Sequence, residues 1–372
     1  MLILLGTNWG RGNTGDFVFQ AIKRMGHKIL LITPTECPYE EAQKIDQDMD
    51  LADLIANLDE KPSLFLYVDC SAPTWFFPRN LEKLQIPTAF WSTDTHFNFR
   101  WHKEWAGLFD YAFFTQLDWM EICIKAGVNN ATWLPYAADE ILHRDFNLER
   151  DIDVGYVGSL NDEKKRYFEN LKKDGVTVTT NSQRLYNEEI GRFYSRCKIV
   201  YNISARYDLN QRTFEAPAAG ALLISQSMID KGFYEIFTLG ENADVHNFDN
   251  ASQVIKNYLG NPELLSKVSK AGQKLVLEGH TYRSRIEKIL ESCSKGITPQ
   301  RMNNKYDYLH QIKLAMVHQH PSFKLYGKAW RYFKNSMEAN PFGTILYLSN
   351  YLYFRVYEKL VKLKQKTGKA PY

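Results

Sequence analysis

Apolar runs of strand length alternate with amphipathic stretches of helix length, and the chain runs through this alternation twice. LILLG, KILLIT, SLFLYVD, TAFWSTD, YAFFTQ and ATWLPY all fall before residue 137, with helical patterns over 15–26, 41–58 and 117–126. Strands that alternate with helices predict a parallel sheet covered on both faces, because a parallel crossover needs a helix to span it. The polar segment AADEILHRDFNLERD then breaks the pattern and reads as a linker. Alternation restarts with DVGYVGSL, a helix from about 162, VTVTT, a helix over 186–197, KIVYNIS, a helix over 212–220, ALLIS and ADVHNF, and helical patterns fill 251–292. At 372 residues the chain exceeds one ordinary core. The fold class expected is α/β, with two Rossmann-like doubly wound domains over 1–140 and 150–295. Ligands of such sheets bind beyond the carboxyl ends of the strands, and in a two-domain protein those ends can face each other across a cleft.

After residue 300 the pattern changes to helical segments over 305–318, 323–338 and 342–366, rich in Tyr, Phe, Trp and Lys. Residues 301–372 hold 13 Lys/Arg against 3 Asp/Glu, a net +10; with +3 for the whole chain, residues 1–300 carry −7. Three readings of this basic aromatic helical tail stand side by side. It packs back across the domains, it forms a homo-oligomer interface, or it meets an anionic membrane surface, which attracts each nearby basic residue by roughly 1 kcal/mol. Nothing in it resembles a nucleic-acid recognition module. Cysteines at 37, 70, 123, 197 and 293 show no metal or redox spacing and suit a reducing cytosol. MLILLG lacks a basic leader and reads as a first strand rather than a signal peptide, and no apolar run reaches a membrane-spanning length. The expected location is the cytoplasm, at the inner face of the cell membrane if the tail binds lipid.

The first loop, GTNWGRGNTGD, sets Gly10, Gly12 and Gly15 in a G-x-G-x-x-G spacing, with Glu36 about 20 residues on. That spacing suits a dinucleotide, whose pyrophosphate approaches backbone N–H groups at a helix start, and makes an NAD-dependent oxidoreductase one alternative. The glycines stand three residues late for that motif, since TNW intervenes after Gly6. The other reading is a loop of Gly10, Gly12 and Asn13 that lines the interdomain cleft.

RTFEAPAAGALLIS, residues 212–225, places Arg212, Thr213 and Glu215 at the start of a small-residue helix that follows KIVYNIS. A helix start offers N–H groups to an anion, and Arg212 adds a fork of donors that matches phosphate oxygens. The Glu215 carboxylate can accept from two neighbouring hydroxyls, as a ribose presents them. The alternative is an exposed helix-start carboxylate favoured by the macrodipole.

RTFEAPAAGALLIS, DVGYVGSL and GHTYRSRIEKIL together resemble group 1 GT-B glycosyltransferases, best over residues 150–292 and nearest the spore-maturation-protein (CgeB)-like branch. WLPYAAD is similar to that family's entry between domains. The resemblance implies transfer of a sugar from a nucleotide-diphosphate donor to a hydroxyl of a glycan or lipid-linked glycan. By position it implies that Glu215 holds the ribose, that Gly220 closes the small-residue helix, and that Gly158 and Ser159 lie near the diphosphate, with Arg166 a basic residue on the following helix. The family's second glutamate, eight residues before the first, is Tyr207 here, so Asp208 or Asn210 is expected to make its contact with the donor sugar.

TAFWSTDTHFNFRWHKEW puts Asp94 and His96 at a strand's carboxyl end, where a base for an acceptor hydroxyl belongs. The competing reading makes Asp94 a helix N-cap. Asp69, ending SLFLYVD, is a second carboxylate of the same kind, and Trp91, Phe97, Phe99 and Trp101 either stack on a sugar or fill the domain. DQDMD, with Asp46, Asp48 and Asp50, reads as a solvated helical face rather than a metal site, so the expected transferase uses no metal and no cofactor beyond its donor. A catalytically silent glycan-binding protein on the same scaffold is the remaining alternative.

Overall fold

Seven strands build the first sheet in the computed structural model: β1 (Leu2–Thr7), β2 (Lys28–Thr33), β3 (Ala42–Lys44), β4 (Leu64–Val68), β5 (Thr88–Ser92), β6 (Tyr111–Phe114) and β7 (Ala131–Trp133). The structure describes residues 1–298 except 47–48, 71–77, 182, 205–206 and 228–230, with the side chains of Arg100 and Glu104 also outside the description. The expected basic tail, 300–372, therefore lies outside the described residues. Strand order is β3-β2-β1-β4-β5-β6-β7, all parallel. The chain leaves β1 for one edge and returns to β4 for the other, so the topological switch falls between the carboxyl ends of β1 and β4. Both faces are buried: Ile3, Leu5, Leu64 and Leu66 join one core, while Leu4, Phe65, Tyr67 and Phe90 join the other. That double burial is why the strands read as unbroken apolar runs. Helices α1 (Thr14–Arg24), α2 (Leu51–Ala56), α3 (Thr95–Ala106) and α4 (Leu117–Lys125) belong to this half.

The helix expected over 41–58 is two elements instead. β3 adds to the sheet edge, with Ala42 paired to Leu31. The Asp50 side chain then accepts from the N–H groups of Ala52 and Asp53 and starts α2 afresh. Local hydrogen bonding thus overrides a helical period. Asp50 is a cap, Asp46 is exposed, and Asp48 lies outside the described residues.

The second sheet comprises β8 (Ile152–Tyr156), β9 (Val178–Thr180), β10 (Cys197–Asn202), β11 (Leu222–Gln226) and β12 (Asp244–His246), ordered β12-β11-β10-β8-β9 and all parallel. Its switch point lies between β8 and β10. Helices α5 (Asp162–Lys173), α6 (Glu188–Ser195), α7 (Arg212–Ala218), α8 (Ala251–Leu259) and α9 (Pro262–Gly279) belong to this half, and α10 (Tyr282–Cys293) follows them in the chain. The helical pattern over 251–292 is cut into three pieces by caps: Asn261 accepts from Leu264 N–H ahead of Pro262, and Thr281 exchanges bonds with Ser284.

Chain order and packing part at α10. Although it follows the second sheet, its Tyr282, Ile286, Ile289 and Cys293 side chains lie in the first core against Phe17. Burying an aliphatic side chain of that size stabilises by about 1.5–3 kcal/mol, enough over two isoleucines to hold the helix on the far half. The two chain crossings are bonded together: Tyr282 N–H donates to Ala138 O at 2.9 Å, and Arg285 donates to the carbonyls of Pro135 and Tyr136 at 2.9 and 3.0 Å.

Candidate functional site

The switch point of the second sheet carries a polar hub that the sequence pattern does not name. Asn202, the last residue of β10, is fully buried. Its Nδ2 donates to Thr213 Oγ1 at 3.2 Å and Ser225 Oγ at 3.1 Å, and its Oδ1 accepts from Asn210 Nδ2 at 3.1 Å and Arg212 Nη1 at 2.7 Å. The one advance signal is that the apolar run Ile199–Val200–Tyr201 ends in asparagine. Held at Nη1, the guanidinium lies over the Tyr156 ring at 4.5 Å and turns its other end, Nη2, toward Gly158. Gly158 has φ +150°, and a Cβ there would stand 2.5 Å from Arg212 Nη2 and 2.9 Å from the Tyr156 hydroxyl. Glycine is needed for both reasons. Ser159 is exposed beside it, and its carbonyl accepts from the Tyr156 hydroxyl and from Lys164 Nζ, each at 3.3 Å. Lys164 also donates to the Tyr156 hydroxyl at 2.9 Å. It therefore occupies the place expected for Arg166, which is exposed two residues on.

The helix start itself offers an anion less than the sequence suggests. α7 is seven residues long, and its first N–H groups are already used: Thr213 N donates to Asn210 O, Phe214 N and Glu215 N to Gln211 O. Thr213 is sealed from solvent, and the Asn210 side chain is spent on Asn202 and Thr213. Positive charge at this point comes from side chains, Arg212 and Lys164. Gly220 lies at the other end of α7 with φ +76°, where a Cβ would meet Arg150 and Asp145, and its N–H closes on Pro217 O.

Glu215 is not an exposed helix-start carboxylate. Only 5% of its surface is exposed. Among the described residues its carboxylate accepts no hydrogen bond, and the imidazole Nε2 of His143 stands 3.6 Å from its Oε1. Around it the halves meet. Gln211 Nε2 donates to the Tyr282 hydroxyl at 2.8 Å and Thr14 Oγ1 at 3.3 Å. Gln116, just past β6, pairs its amide with the Leu209 backbone in both directions, at 2.8 and 3.1 Å. This pairing fixes the 207–211 loop against the first half, and Lys231 bonds Asp118 nearby.

On the facing half, Asp94 takes the N-cap position of α3 by its backbone but makes no side-chain cap; its Oδ1 accepts from the Tyr136 hydroxyl at 3.0 Å. Burial, then the charges of Asp94 and Asp208, push the Tyr136 phenol well up. Asp94 thus bonds this phenol directly and Asp208 acts on it through its charge alone, while Tyr207, in the left-handed region at φ +57°, is half exposed. Of the two residues expected to replace the family's second glutamate, Asp208 faces the junction. His96 is 7% exposed, with its ring 4.2 Å from Phe97. Beneath the turn, Asp69 Oδ2 contacts His102 Nε2 at 2.9 Å, and His102 Nδ1 meets Ser92 Oγ at 2.8 Å and Thr95 Oγ1 at 3.0 Å, all buried. Burial raises the Asp69 carboxyl, with the His102 bond opposing it. Asp69 therefore braces the turn from below. Trp91 and Trp101 are buried in the cores, whereas Phe97 is 56% exposed.

The first glycine loop is closed on itself. Asp16 accepts from Gly12 N–H at 2.8 Å and from Trp9 Nε1 at 3.2 Å, Asn13 caps Asp16 N–H, and Gly15 N–H donates to Cys70 Sγ. A Cβ on Gly15 would lie 2.3 Å from Thr7 Oγ1, so this glycine serves close helix–strand packing. An internal carboxylate already holds the donors and repels an anion there, so these residues do not fit the pyrophosphate of NAD. Gly10 faces the Asn13 side chain, and Gly12 lies against Tyr186 and Asn187 of the second half, which places the loop at the interdomain junction.

Among the described residues no group of three or more His, Cys, Asp or Glu is placed to hold a metal ion, and no helix is long and apolar enough to cross a membrane. The five cysteines are free thiols.

Comparison with known proteins agrees with this geometry. Residues 141–291 match the family model described as glycosyl transferase-like. Curated protein sequences give no match. HepE from Anabaena, solved with UDP and glucose, is similar in fold at TM-score 0.60 and 12% identity, covering 79% of this chain and 100% of that one. A glycosyltransferase from Rickettsia africae matches at 0.58 and 11% identity over 82% and 99%. Sucrose-phosphate synthase from Thermosynechococcus elongatus matches at 0.56 and 11% over 79% and 98%. The described chain therefore has the two-domain GT-B fold, and its second half carries a glycosyl transferase-like domain.

Proposed function

We propose that this protein is a glycosyltransferase that takes a sugar from a nucleotide-diphosphate donor and passes it to a hydroxyl of a glycan or glycoconjugate. The observation that carries the reading is the Glu215 carboxylate: it is 5% exposed, stands at the junction of the halves, and accepts no hydrogen bond among the described residues. A buried carboxylate left without donors is costly. The paired hydroxyls of a ribose supply two donors at once. Arg212 Nη2 and Lys164, beside Gly158 and Ser159, then receive the diphosphate and offset the charge that grows on it as the sugar departs. Asp208, whose charge reaches the same Tyr136 phenol as that of Asp94, is the residue that we assign to the donor sugar.

Asp94 is the base that we assign to the acceptor hydroxyl, because its side chain is released from capping and faces the junction; His96 is the second choice. In this reading the side-chain cations carry the leaving-group charge without a metal. The ordered motifs support placement in the spore-maturation-protein-like branch. UDP is the first donor nucleotide to try, since HepE is solved with it. The test is stabilisation of the fold by nucleoside diphosphates, in parallel with NAD. A ligand at 100 times its Kd raises stability by about 2.7 kcal/mol, several degrees in a chain of this size. Stabilisation by a nucleoside diphosphate and not by NAD is the expected result; the reverse would return the oxidoreductase reading. Binding of a sugar nucleotide with neither transfer nor hydrolysis would leave the non-catalytic one.

A further inference from the structure

We infer that His143, in the turn between the domains, is a positioning residue that holds Glu215 for a vicinal diol. This rests on the reading of Glu215 as the group that grips a ribose. His143 is fully buried, and its Nε2 has no hydrogen-bond partner among the described residues. The protonation pattern of the ring follows from its other nitrogen. Asp139 N–H donates to Nδ1 at 3.0 Å, so Nδ1 carries no proton and the proton sits on Nε2. Glu215 Oε1 stands 3.6 Å from that nitrogen, just beyond a hydrogen bond.

The ring cannot swing away. Asp139 Oδ1 accepts from the N–H groups of Ile141 and Leu142, both at 3.0 Å, and winds the turn. Arg24 of α1 holds the other oxygen of Asp139. Phe17 of α1 packs edge-on against the imidazole at 5.1 Å. Gly191 of α6 lets the turn close in, since a Cβ there would lie 2.2 Å from Leu142 O. The linker thus presents one N–H, fixed from both halves, to a carboxylate with no hydrogen-bond donor among the described residues. When two ligand hydroxyls bond Glu215, a shift of about half an ångström closes the His143 contact and completes the shell around the charge. Without the imidazole, the carboxylate keeps its ligand bonds but loses the donor that sets its angle.

The test compares ribo- with 2′-deoxyribonucleoside diphosphates, both titrated calorimetrically against full-length wild type, His143→Phe and His143→Gln. A ratio of affinities within one variant is insensitive to how much of it is folded. Wild type should favour the ribonucleotide at least tenfold. The ratio should fall toward one in H143F and recover in H143Q, whose amide N–H can stand where Nε2–H stood. A ratio unchanged in H143F overturns the inference while leaving the ribose reading of Glu215 intact. Failure of wild type to bind nucleoside diphosphates, or to discriminate between the two sugars, overturns both.

Discussion

Replacing Arg212 with lysine separates a grip on the diphosphate from a merely structural cation. The arginine makes three kinds of contact: Nη1 bonds Asn202 Oδ1 at 2.7 Å and Ile203 O at 3.4 Å, the guanidinium plane lies 4.5 Å above Tyr156, and Nη2 is turned to the Gly158 loop. A lysine ammonium is a single point and can keep the Asn202 bond or reach toward Gly158, but not both. The Asn202 bond lies within the protein and is satisfied first. The contact surrendered is therefore the one to the ligand, a hydrogen bond to a charged group worth about 1.5–3 kcal/mol. At 1.4 kcal/mol per tenfold, the nucleoside diphosphate should bind roughly 10- to 150-fold more weakly to R212K. The nucleoside, which lacks phosphates, should bind as before. Titration calorimetry with the nucleoside, its monophosphate and its diphosphate reads this directly. Equal weakening across the three ligands would show that Arg212 shapes the fold only, and the diphosphate assignment would fail.

Other substitutions probe the remaining parts. Gly158→Ala forces a Cβ to within 2.5 Å of Arg212 Nη2 at φ +150°; strain of about 1–3 kcal/mol and a displaced guanidinium should weaken diphosphate binding and lower the melting temperature together. Asp94→Asn keeps an acceptor for the Tyr136 hydroxyl but removes the base, so kcat should fall about 10²- to 10⁴-fold with donor KM little changed, measured by sugar transfer. Buried His246 and half-buried His280 have pKa values lowered to about 4, by desolvation in both and by Arg285 at the second. Their depressed values mean that the unfolded chain takes up protons first as pH falls below about 6.5. Stability should therefore decline between pH 6.5 and 4, by up to about 1.4 kcal/mol per pH unit for each histidine, and His246→Gln should flatten urea-melt midpoints over that range.

The fold was legible because its cause is local. Parallel strands buried on both faces are apolar through their centres, and β1 and β4 announce themselves that way along nearly their whole length. What failed locally failed for a local reason, as where β2 pairs with 42–44 and Asp50 caps a new helix inside a stretch of helical period. Glu215 and Arg212 could be picked out because their charge interrupts a small-residue helix. Their partners could not. Asn202, Lys164, His143 and Tyr136 stand 10 to 79 residues from one or other of them in sequence and meet only because two switch points face each other. α10 is the extreme case: its apolar face completes a core whose β1 lies some 280 residues earlier, a pairing that no periodicity encodes.

The most direct measurement is a crystal structure of the full chain with whichever of UDP, GDP, CDP or ADP stabilises it most. The expected electron density puts the ribose hydroxyls within hydrogen-bonding distance of Glu215 and the diphosphate between Arg212, Gly158 and Lys164. A nucleotide lodged instead on the 10–15 loop, or one bound with Glu215 still lacking a hydroxyl partner, would contradict the central claim.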